Sequence, residues 1–392
     1  MKNNSIKDHY FLSQPHQPFF VLAFTNAIVS MLLFMLIYKN AIIPEISAVT
    51  YHAYALIFLV FTPAFIAFLF TTFPRFSNTP PIPQERYLRI FWIFLAGSML
   101  FVIGSFIAHI FSTIGMIALL IAHFGATVIL LSVYFDSPHK EKDDQYWILI
   151  AMAFGFLSHL LFLLTIWFPA LYTLAVQIAI YLYLFLMAFS VGQRMIPFFS
   201  HAMVKKDLEL LPKILVVLLA HVILESSIPH SSFIADSALV YIIGKELLRW
   251  KLPFPNPNPL MWILHVAMFW IPIAFLFSAI SNLTALISGS YFLFLDIHAL
   301  MLGFVFTVMI GFGTRVTIGH SGNLMQADKW TTLLFYGTQI VVLMRIITSL
   351  GAAKGWNILI LFDISVTLWL LLFIAWGIRF FPVLIFGKKL GE

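Results

Sequence analysis

Long apolar stretches, most of them near the roughly 20 residues needed to cross a hydrocarbon core, alternate along the chain with short polar breaks. The pattern predicts twelve membrane-spanning helices, at about 18–38, 48–72, 88–110, 114–134, 146–167, 170–192, 211–228, 233–249, 260–281, 291–314, 330–350 and 357–386. The breaks have chemical causes. Pro80, Pro81 and Pro83 part the second and third helices, and Lys140 to Asp144 form a charged loop before the fifth. Pro253, Pro255, Pro257 and Pro259 alternate into a stiff connector that cannot be helical. The third and fourth helices almost merge; Ser112, Thr113 and Gly115 are where a break is expected, because about 45 apolar residues exceed one crossing.

The basic residues give an independent check, since Lys and Arg gather on the cytoplasmic side of membrane proteins. With the N-terminus cytoplasmic, only Lys39, Arg345 and Lys354 of the 22 Lys and Arg fall on the other side. The expected fold class is therefore an all-α integral membrane protein. It would be a single bundle over 18–386, with a cytoplasmic segment 1–17, a cytoplasmic tail 387–392 and both termini inside. The polar Asn3 to Gln17 and the full-length span behind them do not resemble a cleavable signal.

Composition agrees. Of 392 residues 61% are apolar and 10% charged, far below the roughly one quarter charged in soluble proteins. A net charge of +6 could suggest nucleic acid, but the basic residues are scattered rather than patched, and the bilayer is the partner they imply. With no cysteine, thiolate chemistry, Fe–S clusters and covalently attached haem are excluded. There is no Walker A sequence, no dinucleotide fingerprint, no H-E-x-x-H and no His-His pair.

Ionisable groups inside a membrane are costly and are functional candidates. His52 lies about six residues into the apolar stretch that begins at Ile46, and His298 lies seven beyond Tyr291 in the tenth helix, with Asp296 two positions before it. Both helices run the same way, so the two imidazoles reach similar depths of roughly 10 Å at 1.5 Å per residue. That is compatible with a shared ligand, and equally with two separately hydrogen-bonded imidazoles. His123 and His159 fall mid-span; a second centre or pairing through a water are both open to them, and the structural reading is preferred. His109 and His123 have the spacing of stacked haem ligands, but the expected break puts them on different helices. At the inner face, Arg194, Arg315, His265 and His320 gather at helix ends, where Arg pairs bidentately with carboxylates such as haem propionates.

Four segments in order resemble the NnrS family of haem- and copper-associated membrane proteins linked to nitric oxide. They are Pro18-Phe19-Phe20, Tyr51-His52-Ala53-Tyr54-Ala55-Leu56, Gly192-Gln193-Arg194-Met195-Ile196-Pro197-Phe198-Phe199, and His298-Ala299-Leu300 through Thr314-Arg315-Val316-Thr317-Ile318-Gly319-His320. His265 with Phe269-Trp270-Ile271-Pro272 also has a family counterpart. The resemblance implies a haem-binding protein of the bacterial inner membrane, acting in nitric oxide response or resistance to nitrosative stress. It implies haem b, with His52 and His298 as metal ligands to one iron and His265, His320, Arg194 and Arg315 as further cofactor-binding residues. Tyr54 stands where the family has a second histidine, Ala55 where it has a glutamate, and Gln17 where it has an arginine. Tyr54 can replace that histidine as a ligand, but the changed motif speaks against copper. The alternative is a secondary transporter using intramembrane histidines as a proton or substrate path, with Pro63 and Pro272 as helix breaks; a third reading is a scaffold without a ligand.

Overall fold

The structure is a computed structural model that describes residues 9–202 and 204–390; Lys2 and Lys7 of the expected cytoplasmic segment lie outside them. The described residues form twelve long helices and no strand. They are α1 (His16–Tyr38), α2 (Ala48–Phe76), α3 (Gln84–Ile107), α4 (His109–Asp136), α5 (Asp143–Leu164) and α6 (Pro169–Phe199), then α7 (Leu210–Ser227), α8 (Phe233–Trp250), α9 (Pro259–Ser288), α10 (Leu295–His320), α11 (Lys329–Ala353) and α12 (Ile358–Phe386).

Eleven of these are long and apolar enough to cross a membrane. The exception is α8, which folds where the sequence predicts but carries Asp236, Lys245, Glu246 and Arg249. Its last turn satisfies its own charges: Arg249 Nε donates to Glu246 Oε2 at 2.8 Å, and Trp250 Nε1 donates to Glu246 Oε1 at 2.6 Å.

The break between α3 and α4 falls at Ala108, in extended backbone with φ −164° and ψ 139°, not at Ser112–Gly115. Ser112 and Thr113 hydroxyls both donate to the His109 carbonyl, at 2.8 and 2.9 Å, which caps polar groups inside the first turn of α4. Gly115 serves close packing instead of a turn: a Cβ there would strike the backbone of Phe101. His109 and His123 consequently share one helix, contrary to expectation, although His109 is exposed and His123 buried.

The helices divide into two compact units. One comprises Met1–Tyr172, Phe312–Met325 and Leu370–Glu392. Its core is aromatic: Phe19 meets Phe70, Phe91 and Phe94 edge-on at 5.6–6.1 Å, and Trp376 lies 4.1 Å from Phe24 while donating to Thr314 Oγ1 at 2.9 Å. The other comprises Thr173–Gly311 and Gln326–Trp369. There Gly303 admits the Trp270 ring and Gly311 the Leu264 side chain.

Every fourth helix is widened. Ala55–Phe61 of α2, Ile178–Phe185 of α6 and Ala299–Phe306 of α10 are π-helical. Two of these stretches end on a threonine that takes the carbonyl five residues back: Thr62 Oγ1 to Ile57 O at 2.8 Å, and Thr307 Oγ1 to Leu302 O at 2.9 Å. Runs this long are unusual, since π turns generally occur singly and often at functional sites.

Candidate functional site

The π stretches begin immediately after polar residues of interest. Tyr54 directly precedes the first, Gln177 the second and His298 the third. A parallel also runs through the sequence. Arg194 lies 17 positions after Gln177, Arg315 lies 17 after His298, and each arginine closes a Gly-x-Arg triplet. His52-Ala53 and His298-Ala299 likewise precede Thr62 and Thr307 by similar distances.

His298 follows an unusual stretch of backbone. Leu293 and Phe294, the two residues before α10, are both left-handed, with φ of 46° and 56°. Bulky side chains avoid that region, at a cost of about 1–2 kcal/mol per residue. The turn is held by α11: Arg345 Nη2 donates to the Leu293 carbonyl at 3.0 Å and Ser349 Oγ to the same oxygen at 3.2 Å, while Arg345 Nη1 donates to Ser349 Oγ at 2.5 Å. The Phe294 carbonyl is thereby presented to His298, whose Nδ1 lies 2.8 Å from it. Arg345 Nη2 also lies 3.2 Å from Nδ1. Nδ1 thus faces one acceptor and one donor; the shorter carbonyl contact favours an N–H on Nδ1, the tautomer that carries its lone pair on Nε2. That is the arrangement by which metal-binding histidines are oriented. His298 is half-buried.

His52, in the other unit, stacks on Phe34 with ring centroids 4.2 Å apart and is half-buried. Tyr54 is occupied differently from a ligand. Its hydroxyl is 2.7 Å from His159 Nε2, within a fully buried group where Phe58 stacks on His159 at 3.8 Å and His123 approaches at 5.8 Å. The hydroxyl and Nε2 are each other's partners, and His159 Nδ1 has no hydrogen-bond partner. The imidazole missing from the motif at position 54 thus has a partner imidazole nearby, contributed by α5.

The histidines and arginines near these helix ends separate into different settings. In one unit, His320 Nδ1 is 3.0 Å from Gln14 Oε1 and its ring lies 5.0 Å from that of His16, a residue that the sequence did not single out. Arg315 is half-buried in the same unit. In the other, His265 Nε2 contacts Ser200 Oγ at 2.7 Å. Ser200 gives its only proton to the Ile196 carbonyl, also at 2.7 Å. His265 Nε2 must therefore be the donor, which leaves a buried lone pair on Nδ1 without a hydrogen-bond partner. Arg194 is exposed. No group of three or more His, Asp or Glu able to hold a metal occurs among the described residues.

These features define a multi-pass, all-helical membrane protein whose candidate ligands stand beside π-widened helices. The chain belongs to the NnrS family: the family described as NnrS protein matches residues 10–386, nearly its whole length. No curated protein sequence matches it.

Proposed function

We propose that the chain is a haem b-binding protein of the bacterial inner membrane that acts in nitric oxide response or resistance to nitrosative stress. Family membership supports the general reading. The observation that carries haem ligation is the His298 imidazole, its Nδ1 tied to the Phe294 carbonyl by a left-handed turn that Arg345 and Ser349 brace. Strained backbone persists where surrounding structure over-determines it, and such places are frequently functional. His298 is the first candidate iron ligand and His52 the second, each to be judged by its own variant. His265 and His320 follow, with Arg315 and Arg194 as candidate propionate partners. The bound iron would supply a coordination position for nitric oxide. The distribution of basic residues supports cytoplasmic placement of both termini.

The test is the visible spectrum and haem content of protein purified from haem-sufficient cells. Wild-type protein should show a Soret band. His298→Ala and His52→Ala should remain folded while losing haem or changing its spin state. Unchanged spectra in both variants would remove these two residues and direct attention to His265 and His320.

A further inference from the structure

A further buried polar network involves none of the candidate haem or metal ligands. It lies within the unit containing α7, α8 and α9. His221 and Asp236 are essentially inaccessible, with side chains 1% and 0% exposed, and His221 Nδ1 is 2.7 Å from Asp236 Oδ1. The other carboxylate oxygen, Oδ2, accepts from Ser278 Oγ at 2.8 Å, Ser232 Oγ at 3.1 Å and Asn282 Nδ2 at 3.3 Å. Four donors thus converge on one carboxylate, the surroundings of an anion. On the far side of the ring, His221 Nε2 lies 3.2 Å from Gln177 Oε1, and Tyr181 covers the ring face at 4.0 Å.

Both ring nitrogens of His221 therefore face oxygen acceptors. A neutral imidazole has one N–H and would leave one of these contacts without a proton; an imidazolium satisfies both. Turning the Gln177 amide would offer Nε2 an N–H in place of the oxygen and suit the neutral ring equally well. The site accordingly has two states that differ by one proton and one amide rotation. Burying an ion pair is weak evidence for stability, because desolvation offsets most of the attraction, whereas ionisable groups inside membranes recurrently form proton relays.

A hydrogen-bonded route leads out of it. Asn282 Nδ2 donates to Ser232 Oγ at 3.0 Å, and Asn282 Oδ1 faces His230 Nδ1 at 3.2 Å. His230, in the connector between α7 and α8, has a side chain 41% exposed. Glu225 lies 4.0 Å from His230 through Oε1, while its Oε2 is buried with no hydrogen-bond partner. The titratable groups facing the pair are Glu225 of α7, His230 of the connector, Tyr181 of α6 and Asp296 of α10.

We propose that His221 and Asp236 form a proton-binding site in the membrane interior. The step is a protonation alone: His221 Nε2 gains or releases a proton, Asp236 remains the anion that holds it, and no electron moves. The site is independent of haem ligation.

The test uses the full chain in lipid nanodiscs, with haem content measured alongside. Infrared difference spectra of protein carrying isotope-labelled histidine follow ring protonation against pH. A histidine band that titrates in wild-type and is lost in His221→Gln is expected. Asp236→Asn should change that titration, because the anion facing Nδ1 is gone. Where His221→Gln fails to fold, Gln177→Glu serves instead, since a second carboxylate on Nε2 should raise the midpoint. A network of purely structural role gives no His221 titration while the protein stays folded. That result, or a band driven by sodium at constant pH, would overturn the proposal.

Discussion

Replacing Arg345 by alanine tests whether the braced turn positions His298. Two consecutive left-handed residues, Leu293 and Phe294, cost together about 2–4 kcal/mol relative to ordinary backbone. Against this stand the charge-assisted bond from Arg345 to the Leu293 carbonyl, worth about 1.5–3 kcal/mol, and the neutral Ser349 bond, worth about 1 kcal/mol. The two sides nearly balance with the guanidinium in place. Without it, only the Ser349 bond to Leu293, about 1 kcal/mol, holds the turn, and the turn should relax to right-handed or extended backbone. The Phe294 carbonyl would then leave His298 Nδ1. Arg345→Ala should lower haem occupancy and make the connector before α10 more sensitive to protease. Lysine should rescue poorly, since an ammonium cannot reproduce the fork that grips Leu293 and Ser349 together. Arg345→Ala combined with Phe294→Gly should recover part of the loss, because glycine enters the left-handed region without steric cost. Wild-type haem content and wild-type protease resistance in Arg345→Ala would refute the reasoning. Altered protease resistance with unchanged haem would spare the turn and sink His298 as a ligand.

Three further outcomes follow from the geometry and the sequence. Metal analysis of purified protein should find copper well below one per chain, because Tyr54 is engaged by His159 and Ala55 offers no ligand atom; one copper per chain, abolished in Tyr54→Phe, would contradict this. Single cysteines placed in the Pro253–Pro259 connector should resist impermeant thiol reagents added from the periplasmic side, and labelling there would overturn the proposed orientation. Gly104→Ala should destabilise the α3–α4 hairpin by about 1–3 kcal/mol in denaturant titration, because its Cβ would lie 2.6 Å from the Phe111 carbonyl carbon and closer still to the Ser112 amide.

Hydropathy made the helices legible because a lipid solvent imposes one rule on every span, and the helix order follows from it. What it could not reveal depends on individual atoms. Gly115 looked like a chain break yet serves as a contact surface for Phe101, so the turn moved to Ala108. The π stretches left a faint trace in paired spacings, Gln177 to Arg194 and His298 to Arg315, which become visible only after the widened helices are known. Asp236 lay inside a predicted span, and only its convergence with His221 from a neighbouring helix distinguishes it from an ordinary helix-start carboxylate. The exceptions to the basic-residue rule carried the clearest information. Lys39 and Lys354 are the C-cap residues of α1 and α11, where a cation meets the negative end of the helix dipole. Arg345 is no cap. It sits within α11, on the side where basic residues are otherwise scarce, and grips the strained backbone before His298. A charge that violates the topological rule must have its cost offset locally, and here the offset is the turn that orients the candidate ligand.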